Sequence, residues 1–322
     1  MARTWSRGAD GEHLWLVAVK ATFQLGVAGG GVRLAQPQQE PRLLPEYRGE
    51  PGASSLRYEA DLSDEKPTTD VVINGSAHSP GGKRRPEVRV GVRIGALQKG
   101  LKVVGDRVWD RTLTGVGLSA PQPFVSMPIV YERAYGGTDT RDPDLLRHGH
   151  EARNPVGCGY ALKSAHRLGM SAPNILPLEG DELARPVGFG PIASHWSPRR
   201  EQWGTFDDAW MKRRKPFLPN DYQPAALQCA PEDQRPAAPF MGGESARLIN
   251  LTPSGQLDFE LPRLQLAFQT RFGAKRVRHQ GRLHTVLIEP DDDLICLTWV
   301  ARLACLENAE ALDETVVSEA RG

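Results

Sequence analysis

Apolar and polar residues alternate most clearly over Leu14–Leu25. Trp15, Val17, Val19, Ala21, Phe23 and Leu25 fall on one face, and Ala18, Lys20, Thr22 and Gln24 on the other. A period of two over a dozen residues predicts a long, half-buried strand. Gly29-Gly30-Gly31 breaks it, and Val32–Leu34 would return beside it as a hairpin partner. Pro37, Pro41, Pro45 and Pro51 make residues 36–57 an extended loop. Asp70–Ile73, Glu87–Ile94 and Leu101–Val104 read as further strands, punctuated by Gly81, Gly82, Gly95, Gly100 and Gly105.

Periodicity then fades from about Pro121 to Gly243. A structureless stretch of that length is unusual inside a folded domain, and disorder is poor in aromatics. This one carries Tyr131, Tyr135, Tyr160, Phe189, Trp196, Trp203, Phe206, Trp210 and Phe217. The expectation is an ordered layer of loops pinned by aromatics. Its best helix candidate is Glu201–Arg214, stopped by Pro216. Regular alternation returns in Gln256–Leu261, Arg263–Phe272, Arg276–His279, Leu283–Glu289 and Leu294–Leu303. They read as a meander with turns at Gly255, Gly273, Gly281 and Asp291-Asp292-Asp293. Residues 306–322 are acidic, a short helix or a frayed tail.

The expected fold is therefore mainly β: antiparallel sheets, sandwich- or barrel-like, with a long ordered loop-rich middle segment and few short helices. One unit over 1–322 accounts for the pattern. It divides into an N-terminal β region (10–120), the aromatic- and proline-rich segment (121–245), a C-terminal meander (246–305) and the tail (306–322). The 33 Gly and 26 Pro among 322 residues fit many turns and disfavour a helical fold.

Charge narrows the function classes. A net charge of +1 with mixed signs along the chain argues against nucleic-acid binding by bulk electrostatics. Of 40 basic residues 31 are Arg and 9 are Lys; coding bias explains such a ratio, and so does an interface, where Arg is enriched and Lys depleted. The basic clusters Lys83-Arg84-Arg85, Lys212-Arg213-Arg214-Lys215 and Arg276–Arg278 read as solvated faces first and as docking sites for an acidic protein surface second. Cys158, Cys229, Cys296 and Cys305 form no CxxC pair, so a structural zinc site is unsupported. Neither a signal peptide nor a membrane-spanning helix is predicted. The expected location is the cytoplasm, with no membrane insertion.

No catalytic constellation stands out. His148-Gly149-His150 lies near Asp142, Asp144 and Glu151, but no third ligand follows at a recognisable spacing. A metal-dependent hydrolase using His148 and His150 is thus an alternative, as is a glycan-binding β-sandwich with exposed Trp. Asp291–Asp293 lacks calcium-loop spacing and sits where a turn is needed. Gly26–Gly31 opens no helix, so a dinucleotide fingerprint lacks its context. In Tyr131-Glu132-Arg133-Ala134-Tyr135-Gly136-Gly137 the charges read as loop pins. No cofactor, metal or small-molecule substrate is expected.

Several strings, in order, resemble one family. They begin with Lys20-Ala21-Thr22-Phe23, Ser55 to Leu62, Lys66-Pro67-Thr68-Thr69-Asp70-Val71-Val72-Ile73-Asn74-Gly75 and Gly105-Asp106-Arg107-Val108-Trp109. Met127 to Gly137, Arg153-Asn154-Pro155-Val156-Gly157 and Gly188-Phe189-Gly190-Pro191-Ile192 follow. Gly204 to Trp210, Leu218-Pro219-Asn220-Asp221-Tyr222, Ala230-Pro231-Glu232-Asp233-Gln234, Gly242-Gly243-Glu244 and Asn250-Leu251-Thr252-Pro253 complete the series. Across about residues 10–305 the chain resembles the domain of unknown function 2169 family, associated with bacterial type VI secretion gene clusters. Cys158, where a basic or polar residue is expected, and Phe206, where Tyr is common, depart from its pattern. The resemblance implies a non-enzymatic adaptor or chaperone. Such a protein binds and stabilises a secreted effector toxin and helps load it onto the VgrG/PAAR spike. On that reading the partner anchors fall among Tyr135, Trp196, Arg199, Trp203, Trp210 and Phe217. The competing expectation is that these side chains pin loops to the scaffold.

Overall fold

The computed structural model describes residues 1–26, 31–113, 115–180, 183–305 and 312–319. Thirteen strands build two sheets. They are β1 (Ala2–Arg7), β2 (His13–Gln24), β3 (Arg33–Leu34), β4 (Asp70–Ile73), β5 (Glu87–Ile94), β6 (Leu97–Val104), β7 (Ile175–Pro177), β8 (Ser245–Ile249), β9 (Gln256–Glu260), β10 (Leu266–Phe272), β11 (Lys275–Glu289), β12 (Leu294–Ala304) and β13 (Leu312–Glu319). The first sheet runs β1-β2-β12-β11-β10-β13, with β3 on β2 and β4 parallel to β11. The second runs β7-β6-β5-β8-β9, all antiparallel.

The two sheets share one apolar core. Val88, Val90, Val92 and Ile94 of β5 alternate inward from the second sheet, with Leu101 and Val103 of β6. Val17, Val71, Ile73, Val286, Ile288, Ile295 and Leu297 answer from the first. This is the period-two burial of a two-layer β fold. The mainly β, antiparallel fold expected from the sequence is the one observed.

The strand β2 departs from its half-buried expectation: both faces are covered, with Lys20 and Thr22 buried as well. Loops of the 36–66 segment lie on the second face. Gln38 pairs with the Thr22 backbone in both directions at 2.8 Å, and Lys20 donates to Asp61 at 2.9 Å. A smaller cluster of Tyr58, Val72, Cys229, Ala230, Leu287 and Cys296 fills the same side. The first sheet is therefore a middle layer, between the second sheet and the loops.

Four other expectations are corrected. Gly281 is no turn, because Arg276–His279 and Leu283–Glu289 are one 15-residue strand, β11. A Cβ at position 281 would sit 2.5 Å from the Phe268 ring, so the glycine serves close packing. The predicted meander divides: β9 belongs to the second sheet and β10–β12 to the first. The tail contains β13, neither helix nor fray, paired with β10. The predicted helix is two short ones, α1 (Arg199–Gln202) and α2 (Asp208–Arg213), separated at Gly204, whose φ of +89° a side chain would resist. The Gly29–Gly30 break lies outside the described residues. The turn at Asp291–Asp293 is present, with Asp293 left-handed at φ +54°.

A bulge shapes the first sheet. The register of β11 against β12 shifts between Leu283 and Thr285, leaving His284 as the extra residue. Bulges bend a strand and increase its twist. Past the bulge β11 stays on β12 as far as Gly281, and from Gln280 to Lys275 it pairs with β10, which carries β13. The sheet thereby curls into a half-barrel whose end strands are β1 and β13.

Candidate partner-binding surfaces

The sequence-predicted anchors fall into two groups. Trp196 is 1% exposed and meets Tyr131 edge-on at 5.6 Å. Arg199 is buried: Nε donates to the Ala226 carbonyl at 2.8 Å, Nη1 to the Ile192 carbonyl at 2.8 Å, and Nη1 also pairs with Glu59. Tyr135 is buried beside Tyr160, and burial raises its phenol pKa. These three hold loops to the scaffold. Trp203, Trp210 and Phe217 are half-buried and gather around the short helices. Trp203 leans on Tyr222 at 5.8 Å. Trp210 Nε1 donates to the Phe217 carbonyl at 2.9 Å, and its ring takes Phe206 edge-on at 4.8 Å.

Local sequence explains α2. Asp207 caps it, accepting from the Trp210 amide at 2.8 Å, and Lys212 and Arg213 sit in the last turn, where the helix dipole favours cations. Arg214 bonds Asp10 at 2.6 Å, and the Leu218 amide bonds the Ala9 carbonyl at 3.3 Å, so the segment is tied to the start of the chain. Its outer side is uncovered. Phe206 and Met211 are each 54% exposed, and Lys212, Arg213 and Lys215 are exposed with no ion pair among the described residues. Sequence reading chose Trp210 and missed Phe206 and Met211. The available signal was their adjacency to the basic run, apolar side chains where solubility alone would place polar ones.

Beneath the loops lies a layer of paired buried charges, in which Asp70 Oδ1 is left without a partner among the described residues. Lys66 pairs with Asp70 at 2.7 Å with both side chains buried, and Asp70 also accepts from the Cys229 amide at 2.9 Å. Lys99 Nζ donates to the Gly188 carbonyl, Asp233 and Gln234 at 2.6–2.8 Å. Gln234 in turn donates to the carbonyls of Val71 and Phe189. Tyr58 donates to Glu289 at 2.5 Å; burial, then that carboxylate, push the phenol up to about 12. Buried charges survive only when so paired. Glu132 accepts from the Ser55 amide and hydroxyl, while Arg133 pairs with Asp106, so both charges act as loop pins.

The histidines of the hydrolase alternative do not converge. His148 Nε2 is 2.9 Å from the Asp142 carbonyl, and His150 is exposed on a two-residue ladder opposite Thr138. Asp291 bonds Ser76 and His78 at its turn. Among the described residues no group of three His, Cys, Asp or Glu could hold a metal ion, and no helix is long and apolar enough to cross a membrane. The four cysteines are free.

The half-barrel opens on one side. A groove of about 1050 Å3 is lined by β10, β11 and β13 together with Phe240, Met241 and Leu264. It adjoins a slot of about 540 Å3 lined by Met1, Val19, Leu266 and the consecutive residues Thr315–Glu319.

Fold and surface thus describe a two-sheet β scaffold that ties its loops down internally and leaves apolar and basic groups uncovered in separate places. The chain belongs to the family described as an uncharacterized protein conserved in bacteria (DUF2169), which it matches over residues 10–300. Neither the curated proteins nor the solved structures gave a match.

Proposed function

We propose that the chain is a non-enzymatic adaptor: in the cytoplasm it binds and stabilises an effector toxin of a type VI secretion system and helps load it onto the VgrG/PAAR spike. The observation that carries this reading is the outer side of α2. Phe206 and Met211 present apolar surface, and Lys212, Arg213 and Lys215 surround it with positive charge that has no ion-pair partner among the described residues. Aromatic side chains with cationic neighbours are the usual anchors of a protein interface. The apolar groups contribute affinity by leaving water, and the cations steer an acidic surface into register. A partner that binds only the folded client stabilises it by RT ln(1 + [L]/Kd), about 2.7 kcal/mol at a hundredfold excess over Kd. No bond is made or broken.

Co-expression with the toxin encoded beside this gene tests the reading. The expected result is more soluble toxin and a complex that co-elutes at micromolar concentration. Separate elution overturns it.

A further inference from the structure

We infer that the hydrogen-bonded series Trp15–Thr315–Thr270–His279 is a proton-operated latch: it holds β13 across the half-barrel while the His279 ring is neutral, and releases the strand when that ring takes a second proton. The inference goes beyond the adaptor reading and does not depend on it. Three observations carry it.

First, the series crosses the seam where no backbone ladder does. Among the described residues β13 pairs with β10 alone and β1 with β2 alone, and a slot lined by Met1, Val19 and Thr315–Glu319 lies along β13. Trp15 reaches over from β2, its Nε1 donating to Thr315 Oγ1 at 2.8 Å. Thr315 Oγ1 lies 2.8 Å from Thr270 Oγ1, which lies 2.8 Å from His279 Nε2. Trp15, Thr270 and Thr315 are buried.

Second, the series has a direction. An indole N–H only donates, so Thr315 Oγ1 accepts. With Thr315 donating to Thr270, and Thr270 to His279 Nε2, both hydroxyl protons have acceptors. Run the other way, from a protonated Nε2, the Thr315 hydroxyl proton has no acceptor among the described residues. A buried donor without a partner is costly. The first order is therefore the stable one, and it fixes the ring as neutral with its proton on Nδ1, an atom buried without a partner among the described residues. A second proton, on Nε2, removes the acceptor on which that order rests. It turns Thr270 around, orphans the Thr315 hydroxyl and leaves a charge among apolar neighbours.

Third, the ring is reachable and its charge would meet no counter-ion. His279 is half-buried and lines the groove of about 1050 Å3. Its neighbours on that face are Phe268 of β10, Val317 of β13, and Val277 and Gly281 of β11. The loop across the groove contributes Pro239, Phe240 and Met241. None of these titrates. Arg3 and Arg7 of β1, His13 of β2, Lys275 of β11 and Glu319 of β13 share the face only at strand ends or on the open edge, where all five are exposed. Arg276, Arg278 and Arg282 alternate to the outer face, and Asp313 and Glu314 lie within 3.5 Å of Arg271. Burial alone lowers the His279 pKa. The latched strand thus refuses a proton that the released strand accepts at the ordinary value of 6.5, so the latch weakens as pH falls through and below that value.

The test follows β13 in the whole chain by hydrogen–deuterium exchange at pH 7.5 and 5.5. Each rate is normalised to an unstructured peptide of the same sequence at the same pH. Over that interval the ratio of released to latched strand rises several-fold, with a ceiling of about tenfold. Protection of Leu312–Glu319 is expected to fall by that factor, and protection of β5 and β6 to stay. His279→Gln offers the Thr270 hydroxyl a carbonyl oxygen that does not titrate, so the pH dependence of its β13 should vanish. Thr315→Val removes the middle of the series and should leave β13 weakly protected at both pH values. Nitrogen-15 spectra of histidine-labelled protein at pH 7.5 should show His279 protonated on Nδ1 and unprotonated on Nε2. Protection of β13 that ignores pH overturns the inference, as does a His279→Gln strand as pH-sensitive as the parent. A proton on Nε2 at pH 7.5 overturns it too. So does an acid loss shared equally by β5 and β6, which would belong to the whole fold. Should Thr315→Val fail to fold, the parent, His279→Gln and the spectra decide.

Discussion

Lys99, on the strand β6, and Lys212, on the short helix α2, meet opposite fates. Lys99 is buried, and its ammonium is held by one carbonyl, one carboxylate and one amide oxygen. Burial pulls its pKa down to about 8, against the opposing pull of Asp233. Lys212 stands exposed beside Met211 with no carboxylate opposite it among the described residues. The same contrast separates Trp196 from Phe206, and Arg199 from Arg278. The ammonium, guanidinium and indole groups beneath the loops named above have partners, whereas the His284 ring and Asp70 Oδ1 are buried without one among the described residues. Lys212 and Arg278, on the outer side of α2 and along the open half-barrel, make no ion pair among those residues. Matched groups report how the fold is held; exposed, unmatched ones are the candidates for docking in the proposed reading.

The largest effects should come from unmatching a buried pair. Asp70→Ala leaves the Lys66 ammonium buried without its carboxylate, at a cost of about 3–5 kcal/mol. Calorimetry should show the melting temperature falling by several degrees or the folded state lost. Trp196→Ala removes a fully buried indole, at about 3–5 kcal/mol by the same measurement. If either variant melts like the parent, the loop layer is not held as described.

Acid gives a smaller, graded effect. His284 sits in the bulge of β11, 2% exposed, with no partner for either ring nitrogen among the described residues. Burial, then the positive charge of Lys66, push its pKa down from 6.5 to about 3. Between those values the unfolded chain binds a proton that the folded chain refuses, so stability rises with pH across that window and falls on acidification. The loss should reach a few kcal/mol at most, and denaturant melts from pH 7 to pH 4 will measure it. His284→Phe should flatten the dependence. A slope unchanged by that substitution would place the acid sensitivity elsewhere.

On the exposed side the same measurements should barely move. Phe206→Ala and Met211→Ala are expected to shift stability by no more than about 0.5 kcal/mol. Lys212→Glu with Arg213→Glu should do likewise, and should lower the rate of client association more at low salt than at high.

Much of the fold was legible in the alternation of residues. Glu87–Ile94 coincides with β5 because its period of two decides it, and Asp70–Ile73 with β4 because a short β-branched run ends at Asn74-Gly75. The covering of β2 on its second face was not legible. It depends on Gln38 and Asp61, far away in a proline-rich loop whose local sequence shows no reason to lie there. The fusion of two predicted strands into β11 failed for a related cause: Gly281 reads as a turn, and only the approach of Phe268 shows it to be a packing site. The candidate surface was half legible. Aromatic size drew attention to Trp196 and Trp210 alike, but size alone does not separate a pin from an anchor. The partners that distinguish them, Tyr131 for the one and open surface beside the other, come from distant parts of the chain.

The central claim is that exposed, unmatched groups bind a second polypeptide while buried, matched ones hold the scaffold. Isothermal titration of the neighbouring toxin into the Phe206→Ala/Met211→Ala double variant, alongside its melting curve, tests this most directly. The account predicts affinity reduced at least about tenfold, or 1.4 kcal/mol, at an unchanged melting temperature. Full affinity with a lowered melting temperature would contradict it.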